Sequence, residues 1–269
     1  MTVAHTPDPD DSFMFYAMFE GKINVHFDYE QIIKDIETLN KEAKKNLYDV
    51  TALSANGYIE VSDNYVLTRS GASFGINYGP IVVAKKQVNL QESVLGVPGF
   101  MTSSYLLYRM FGPEAKEYKE VRFDMIPDEI MNGNIDAGIL IHDEQLTFQK
   151  RGLIKIFDIY EEWKKYAGSL PIPLGFNAIA KHVGTENIKN FEDDFERSIR
   201  YAMAHEDEAV KYAMKYARYN DFNLEKKFVR MYVNYLSIDF GDIGRKSLDL
   251  YYKRAYEKEL IKKFTPEIV

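Results

Sequence analysis

The run Ala137-Gly-Ile-Leu-Ile-His142-Asp143 decides how this chain is read. A short apolar run that ends in charge is a strand buried on both faces, of the kind found in parallel sheets. Its C-terminal edge carries His142, followed at once by Asp143 and Glu144. Open α/β sheets hold their ligands outside the carboxyl ends of strands. His142 therefore stands where a substrate would be met, and a neighbouring carboxylate or carbonyl can orient its ring. The competing reading is a histidine that only packs.

Upstream of this strand, apolar runs and helical periodicities alternate. Thr2 to Thr6 is β-prone, and Pro7-Asp-Pro-Asp-Asp-Ser12 breaks it and caps a helix running from Phe13 to Glu20. Asn24 to Glu30 alternates like a half-buried strand, which turns His26 outward. A helix over Asp35 to Asn46 follows, then strands at Asp49 to Ser54, Tyr65 to Ser70 and Ile81 to Ala84. After the polar break at Lys85 to Ser93 a second α/β series begins: strand Val94 to Val97, helix Ser103 to Phe111, strand Glu120 to Phe123, helix Pro127 to Asn132, and the His142 strand. Ile154 to Phe157 adds an edge strand, and Leu170 to His182 a strand entered through prolines. From Glu186 onward the spacing is helical, and the turns at Asn220 and Ser237 divide the helices. Two α/β batches with a helical tail predict two lobes: residues 1–85 with 177–269 in the larger, residues 86–176 in the smaller. A cleft between such lobes suits a ligand and permits hinge closure.

Composition narrows the functions. The net charge of −7 provides no basic stripe for nucleic acid. No apolar run approaches the ~20 residues of a membrane helix, and no signal peptide is visible, so a cytoplasmic location is expected. The absence of cysteine excludes disulfides, thiolate metal sites and cysteine nucleophiles. Neither a Gly-x-Ser-x-Gly elbow nor a Gly-rich nucleotide cradle is present.

Chemistry concentrates in four places. Thr102-Ser103-Ser104 opens a helix after a glycine turn, and three hydroxyls beside free N–H groups make an anion site as well as a cap. Ser54 ends its strand in the same manner, and reads as a turn serine unless both lobes present hydroxyls to one cleft. The loop His5 to Ser12 sets acids and a histidine between prolines; His5 and Asp10 are its candidates for the cleft. No second cluster of matching spacing accompanies it, so no metal is expected. His142 remains as a general base that needs no cofactor, imidazole being the side chain suited to proton transfer near neutral pH. His182 and His205 read as helix-end residues.

Eight segments in order carry a resemblance. They include Pro9-Asp-Asp-Ser-Phe-Met-Phe-Tyr16, Asp35-Ile-Glu-Thr-Leu-Asn40, Val97-Pro-Gly-Phe-Met-Thr-Ser-Ser-Tyr-Leu-Leu107, Gly138-Ile-Leu-Ile-His142 and Tyr232-Val-Asn-Tyr-Leu-Ser-Ile-Asp-Phe-Gly241. The chain resembles, nearly end to end, the 1,4-dihydroxy-6-naphthoate synthases of the futalosine route to menaquinone, within a family that also holds chorismate dehydratases. The resemblance implies the two-lobed fold of periplasmic binding proteins (type 2). It implies a carbon–carbon lyase without metal or organic cofactor that opens cyclic dehypoxanthine futalosine, an acid. His142 matches the proposed general base, and Ser54, Ser103 and Ser104 match positions that hold the acid group.

The sequence also departs from that pattern. Thr6, Asp8, Asp10 and Ser12 stand where Ser, Cys, Asn and Thr are usual, and Asp143 replaces a Glu. An added carboxylate beside a pocket for an acid should repel it or pair with a polar group. Two alternatives stay open: the sister dehydratase, disfavoured by the His-bearing strand, and a non-catalytic small-anion binder. Against the binder stand the missing leader and a histidine where anion recognition would favour arginine.

Overall fold

The computed structural model describes every residue except Tyr219. The chain opens with β1 (Thr2–His5), α1 (Pro9–Phe19), β2 (Glu30–Ile33), α2 (Ile36–Ala43), β3 (Val50–Ser54), α3 (Ala55–Ile59), β4 (Tyr65–Leu67) and β5 (Ser73–Gly75). A second group follows: β6 (Ile81–Ala84), β7 (Val94–Val97), α4 (Ser103–Phe111), β8 (Glu117–Glu120), α5 (Ile126–Asn132), β9 (Ala137–Leu140), α6 (Glu144–Thr147), β10 (Ile154–Asp158) and α7 (Ile159–Ala167). The long β11 (Ile172–Ala180) leads into α8 (Thr185–Ala204), α9 (Glu206–Ala213), α10 (Phe222–Tyr232), α11 (Tyr235–Ile238) and α12 (Gly241–Glu257).

Two mixed sheets result. The first runs β2-β1-β3-β11-β4, with β5 also on β11; the second runs β10-β6-β9-β7-β8. β9 is buried along its whole length because it lies between β6 and β7. Its pairing is parallel to β7 but antiparallel to β6, so the continuous apolar run reports burial and not strand direction.

Two sequence expectations move. Ile81–Ala84, placed with the larger lobe, pairs with β9 and β10 in the second sheet. The chain therefore changes sheets within 76–80 and returns by 172, not at 85 and 177. Four apolar residues fit either sheet equally well, and only pairing decides. The alternation at 24–30 is not a strand either. Tyr29 packs edge-on against Phe191 of α8 and gives its hydroxyl proton to Asp194, while β2 begins at Glu30 beside β1.

Helix α1 starts cleanly because Pro9 needs no N–H acceptor in the first turn. It is buried almost all round, against α8 and α9, with Phe15 stacked on Phe195 at 4.2 Å between centroids. That burial fixes the loop before it, Thr6 to Asp8, at the C-terminal end of β1. The tail helix α12 packs Leu248, Tyr251 and Tyr252 into the core that also takes Trp163 and Leu107 from the second group.

Candidate active site

A cleft between the sheets holds about 640 Å³ of empty space, open solvent at its mouth included. Ser54, Thr102, Ser103 and Ser104 line it together with His142 and Asp10. Topology brings them there: Ser54 ends β3, the hydroxyl trio opens α4 after β7, and His142 follows β9.

His142 adopts φ 55°, left-handed backbone that a side-chain-bearing residue rarely takes. Such strain costs of order 1–3 kcal/mol and persists where the surroundings over-determine it. Here Phe123 meets the imidazole edge-on at 5.0 Å and Tyr232 stacks at 6.4 Å. Asp8 Oδ2 lies 3.3 Å from Nε2, and both ring nitrogens are buried without a hydrogen bond to any of the described residues. The carboxylate beside the ring is thus Asp8, from the first loop, and not the adjoining Asp143.

Arg218 holds the acids together. Its Nη2 donates to Asp8 Oδ1 at 3.1 Å and also to Asp143 Oδ1, while its guanidinium lies 4.4 Å from the Phe123 ring centroid. Asp143 is therefore paired and does not simply repel a ligand. Arg218 is a residue of the site that the sequence reading did not single out. Arg218 sits in the helical tail, 75 residues from Asp143, with no motif around it.

Ser54 is positioned by Asn40, whose side-chain amide donates to Ser54 Oγ at 3.1 Å and accepts from Ser54 N at 3.0 Å. Thr102 caps α4, accepting from Tyr105 N at 3.3 Å, and its hydroxyl lies 3.1 Å from that of Ser104. The N–H groups of Ser103 and Ser104, in the first turn of α4, have no intrahelical acceptor. Ser103 differs from the expectation. Its Oγ accepts from Ala55 N at 2.8 Å and donates to the Leu174 carbonyl, so this hydroxyl ties the two sheets together. Glu37 adds to that seam by accepting from Met101 N at 3.2 Å, which Gly99 permits because a Cβ there would meet the Glu37 carboxylate at 2.3 Å.

His5 is not in the cleft. It is fully buried at the end of β1, stacked 5.0 Å from Phe15, with Nδ1 2.7 Å from Thr6 O and Nε2 2.8 Å from the Gln31 amide nitrogen. Those partners assign a neutral ring, protonated on Nδ1, and burial lowers its pKa to about 4. The loop's opening residue was legible as polar, but its side chain does not line the cleft.

Asp10 and Asp11 occupy the first turn of α1. Thr6 donates to Asp11 Oδ2 through both N (3.0 Å) and Oγ (2.8 Å), yet burial still raises the Asp11 pKa to about 6. Burial first, then Asp11 and Asp8, push the Asp10 carboxyl well above the usual range. The helix N-terminus offers at most ~2 kcal/mol to an anion. Removing an unpaired charge from water costs several kcal/mol, so burial wins.

The profile of a family described as "Menaquinone biosynthesis" matches residues 1–257. The chain belongs to the menaquinone biosynthesis family. Among family relatives, the "1,4-dihydroxy-6-naphtoate synthase" of Thermus thermophilus is 31% identical over 97% of this chain and 95% of that one. The chain is an enzyme of that lyase type. The crystal structure of AF1704 from Archaeoglobus fulgidus superposes with a TM-score of 0.91 at 39% identity, over 97% of this chain and 98% of that chain. The Candida albicans CA3427 gene product, described as exhibiting the generic periplasmic binding protein fold, gives 0.70 at 16% identity, over 100% and 98% of the chains. The fold is thus the two-lobed periplasmic-binding-protein type read from the sequence. Among the described residues, no helix is long and apolar enough to cross a membrane.

Proposed function

We propose that this enzyme opens cyclic dehypoxanthine futalosine to release 1,4-dihydroxy-6-naphthoate, with His142 as general base. One observation carries the reading: an imidazole with both ring nitrogens buried, its Nε2 beside Asp8, lining the same cleft as the hydroxyls of Ser54, Thr102 and Ser104. With Nε2–H turned to Asp8, Nδ1 keeps the lone pair that accepts a proton. The substrate's acid group is held at the start of α4, by the hydroxyls of Thr102 and Ser104 and the first-turn N–H groups, where the helix end favours negative charge. Removal of a hydroxyl proton lets the sugar-derived ring fragment, and aromatisation of the naphthalene drives the step. Seating the base among Phe123 and Tyr232 excludes water and strengthens each polar contact.

The test is turnover without added cofactor. Purified protein is mixed separately with cyclic dehypoxanthine futalosine and with chorismate, and product is followed by absorbance and mass. Formation of the naphthoate is expected. Dehydration of chorismate would assign the sister activity, and tight binding of either compound without turnover would make the chain a binder.

A further inference from the structure

Asp10 lines the cleft without a part in the proton transfer just described. Its side chain is buried at the second position of α1; Oδ2 accepts from the Ser73 hydroxyl of β5 at 3.3 Å, while Oδ1 has no hydrogen-bond partner among the described residues. On its own turn it faces Asp8 and Asp11. From the segment after β5 and from α10 it faces Tyr78 and Tyr232, buried phenols that its charge would push further upward. The nearby cation, Arg218, is committed to Asp8 and Asp143, and His142 lies against Asp8. Among the described residues, no Lys, Arg or His forms an ion pair with Asp10.

We infer that Asp10 serves the cleft as a neutral carboxylic acid, its Oδ1–H donating a hydrogen bond to an oxygen of the bound substrate. The Ser73 bond reserves Oδ2 as the acceptor and leaves the proton on Oδ1. Burial, then Asp11 and Asp8, act in the direction that keeps the proton there and outweigh the backbone N–H groups of Asp11 and Asp10, which favour the anion. The alternative, one more anion inside a cleft for an acid, would oppose the ligand that the α4 end attracts. A neutral donor favours ligands presenting an acceptor oxygen over ligands presenting only N–H donors. The substrate assignment rests on the function proposed above; the protonation state does not.

The experiment therefore has two arms. Infrared spectra of wild type and Asp10→Asn are subtracted at about pH 8, where Asp11 (about 6), Glu192 (about 7) and Glu225 (about 7) are mostly ionised and cancel. A carboxylic-acid carbonyl band in the wild type, absent from the variant and lost when the wild type is denatured, is expected. Loss of a carboxylate band in the variant, with no carboxylic-acid carbonyl band in the folded wild type, would overturn the neutral state, whatever the enzyme turns over. In the second arm, calorimetry with cyclic dehypoxanthine futalosine compares variants. Asp10→Ala should weaken affinity roughly ten-fold, and Asp10→Asn, which keeps a donor, less than about three-fold. Equal losses in the two variants would mean that a carboxylate was needed and would overturn the donor role.

Discussion

Asp8 and His142, 134 positions apart, meet at 3.3 Å between Oδ2 and Nε2, and the other Asp8 oxygen is held by Arg218 at 3.1 Å. On the proposed mechanism a carboxylate so placed favours the tautomer protonated on Nε2. Asp8→Asn preserves shape and removes that bias. It should lower kcat by roughly 10- to 100-fold with KM changed less than about three-fold, since general-base catalysis contributes about 10²–10⁴ in all. Steady-state kinetics decide this, and an unchanged kcat would remove Asp8 from the mechanism.

His142→Asn should reduce kcat by about 10²–10⁴ while substrate affinity stays within a few-fold. Asparagine suits the test because it accepts the left-handed backbone at φ 55° more readily than most residues. A thermal midpoint no lower than wild type shows that the fold is intact. Wild-type turnover in this variant would eliminate His142 as the base.

Ser103 and Ser104 should separate under mutation. Ser103→Ala leaves the Ala55 N–H without its buried acceptor, which costs about 1–3 kcal/mol in denaturant unfolding. Ser104→Ala should leave the unfolding midpoint nearly unmoved and instead raise KM several-fold. Equal stability losses in both would refute the division between a serine that joins the sheets and one that faces the ligand.

His5 predicts an acid sensitivity. Its folded pKa of about 4 lies below the ordinary 6.5, so below 6.5 the unfolded chain binds a proton that the fold refuses. The contribution is present above pH 6.5 and lost as pH falls towards 4, reaching at most ~3 kcal/mol. Asp11 acts oppositely: its pKa is raised to about 6, so its effect favours folding at low pH and is lost as pH rises from 3.8 to 6. Unfolding free energies of wild type and His5→Gln between pH 4 and 7 isolate the histidine. The wild type should lose more stability on acidification than the variant, and parallel curves would contradict the assignment.

Local signals carried the reading a long way. The helix Ser103–Phe111 is found at the expected residues, because its cap and its apolar spacing lie within one short segment. The run after Asp136 became a buried strand for the same reason. His5 shows where such reading stops. A histidine at a strand end is equally compatible with a cleft or a core, and the stack on Phe15 with the Gln31 contact places it in the core. Arg218 shows the converse: nothing near it in the sequence marks it, yet it joins two acids of the site.

The sequence by itself determined the two α/β batches, the strand that delivers His142 and the helix start that offers hydroxyls, since periodicity and capping are properties of neighbouring residues. Tertiary packing alone settled which sheet received Ile81–Ala84, which carboxylate lay beside the imidazole, and that Asp10 met no cation among the described residues. Those outcomes depend on burial and on partners as far apart as Asp8 and Arg218. Desolvation acts only once the chain has closed around them.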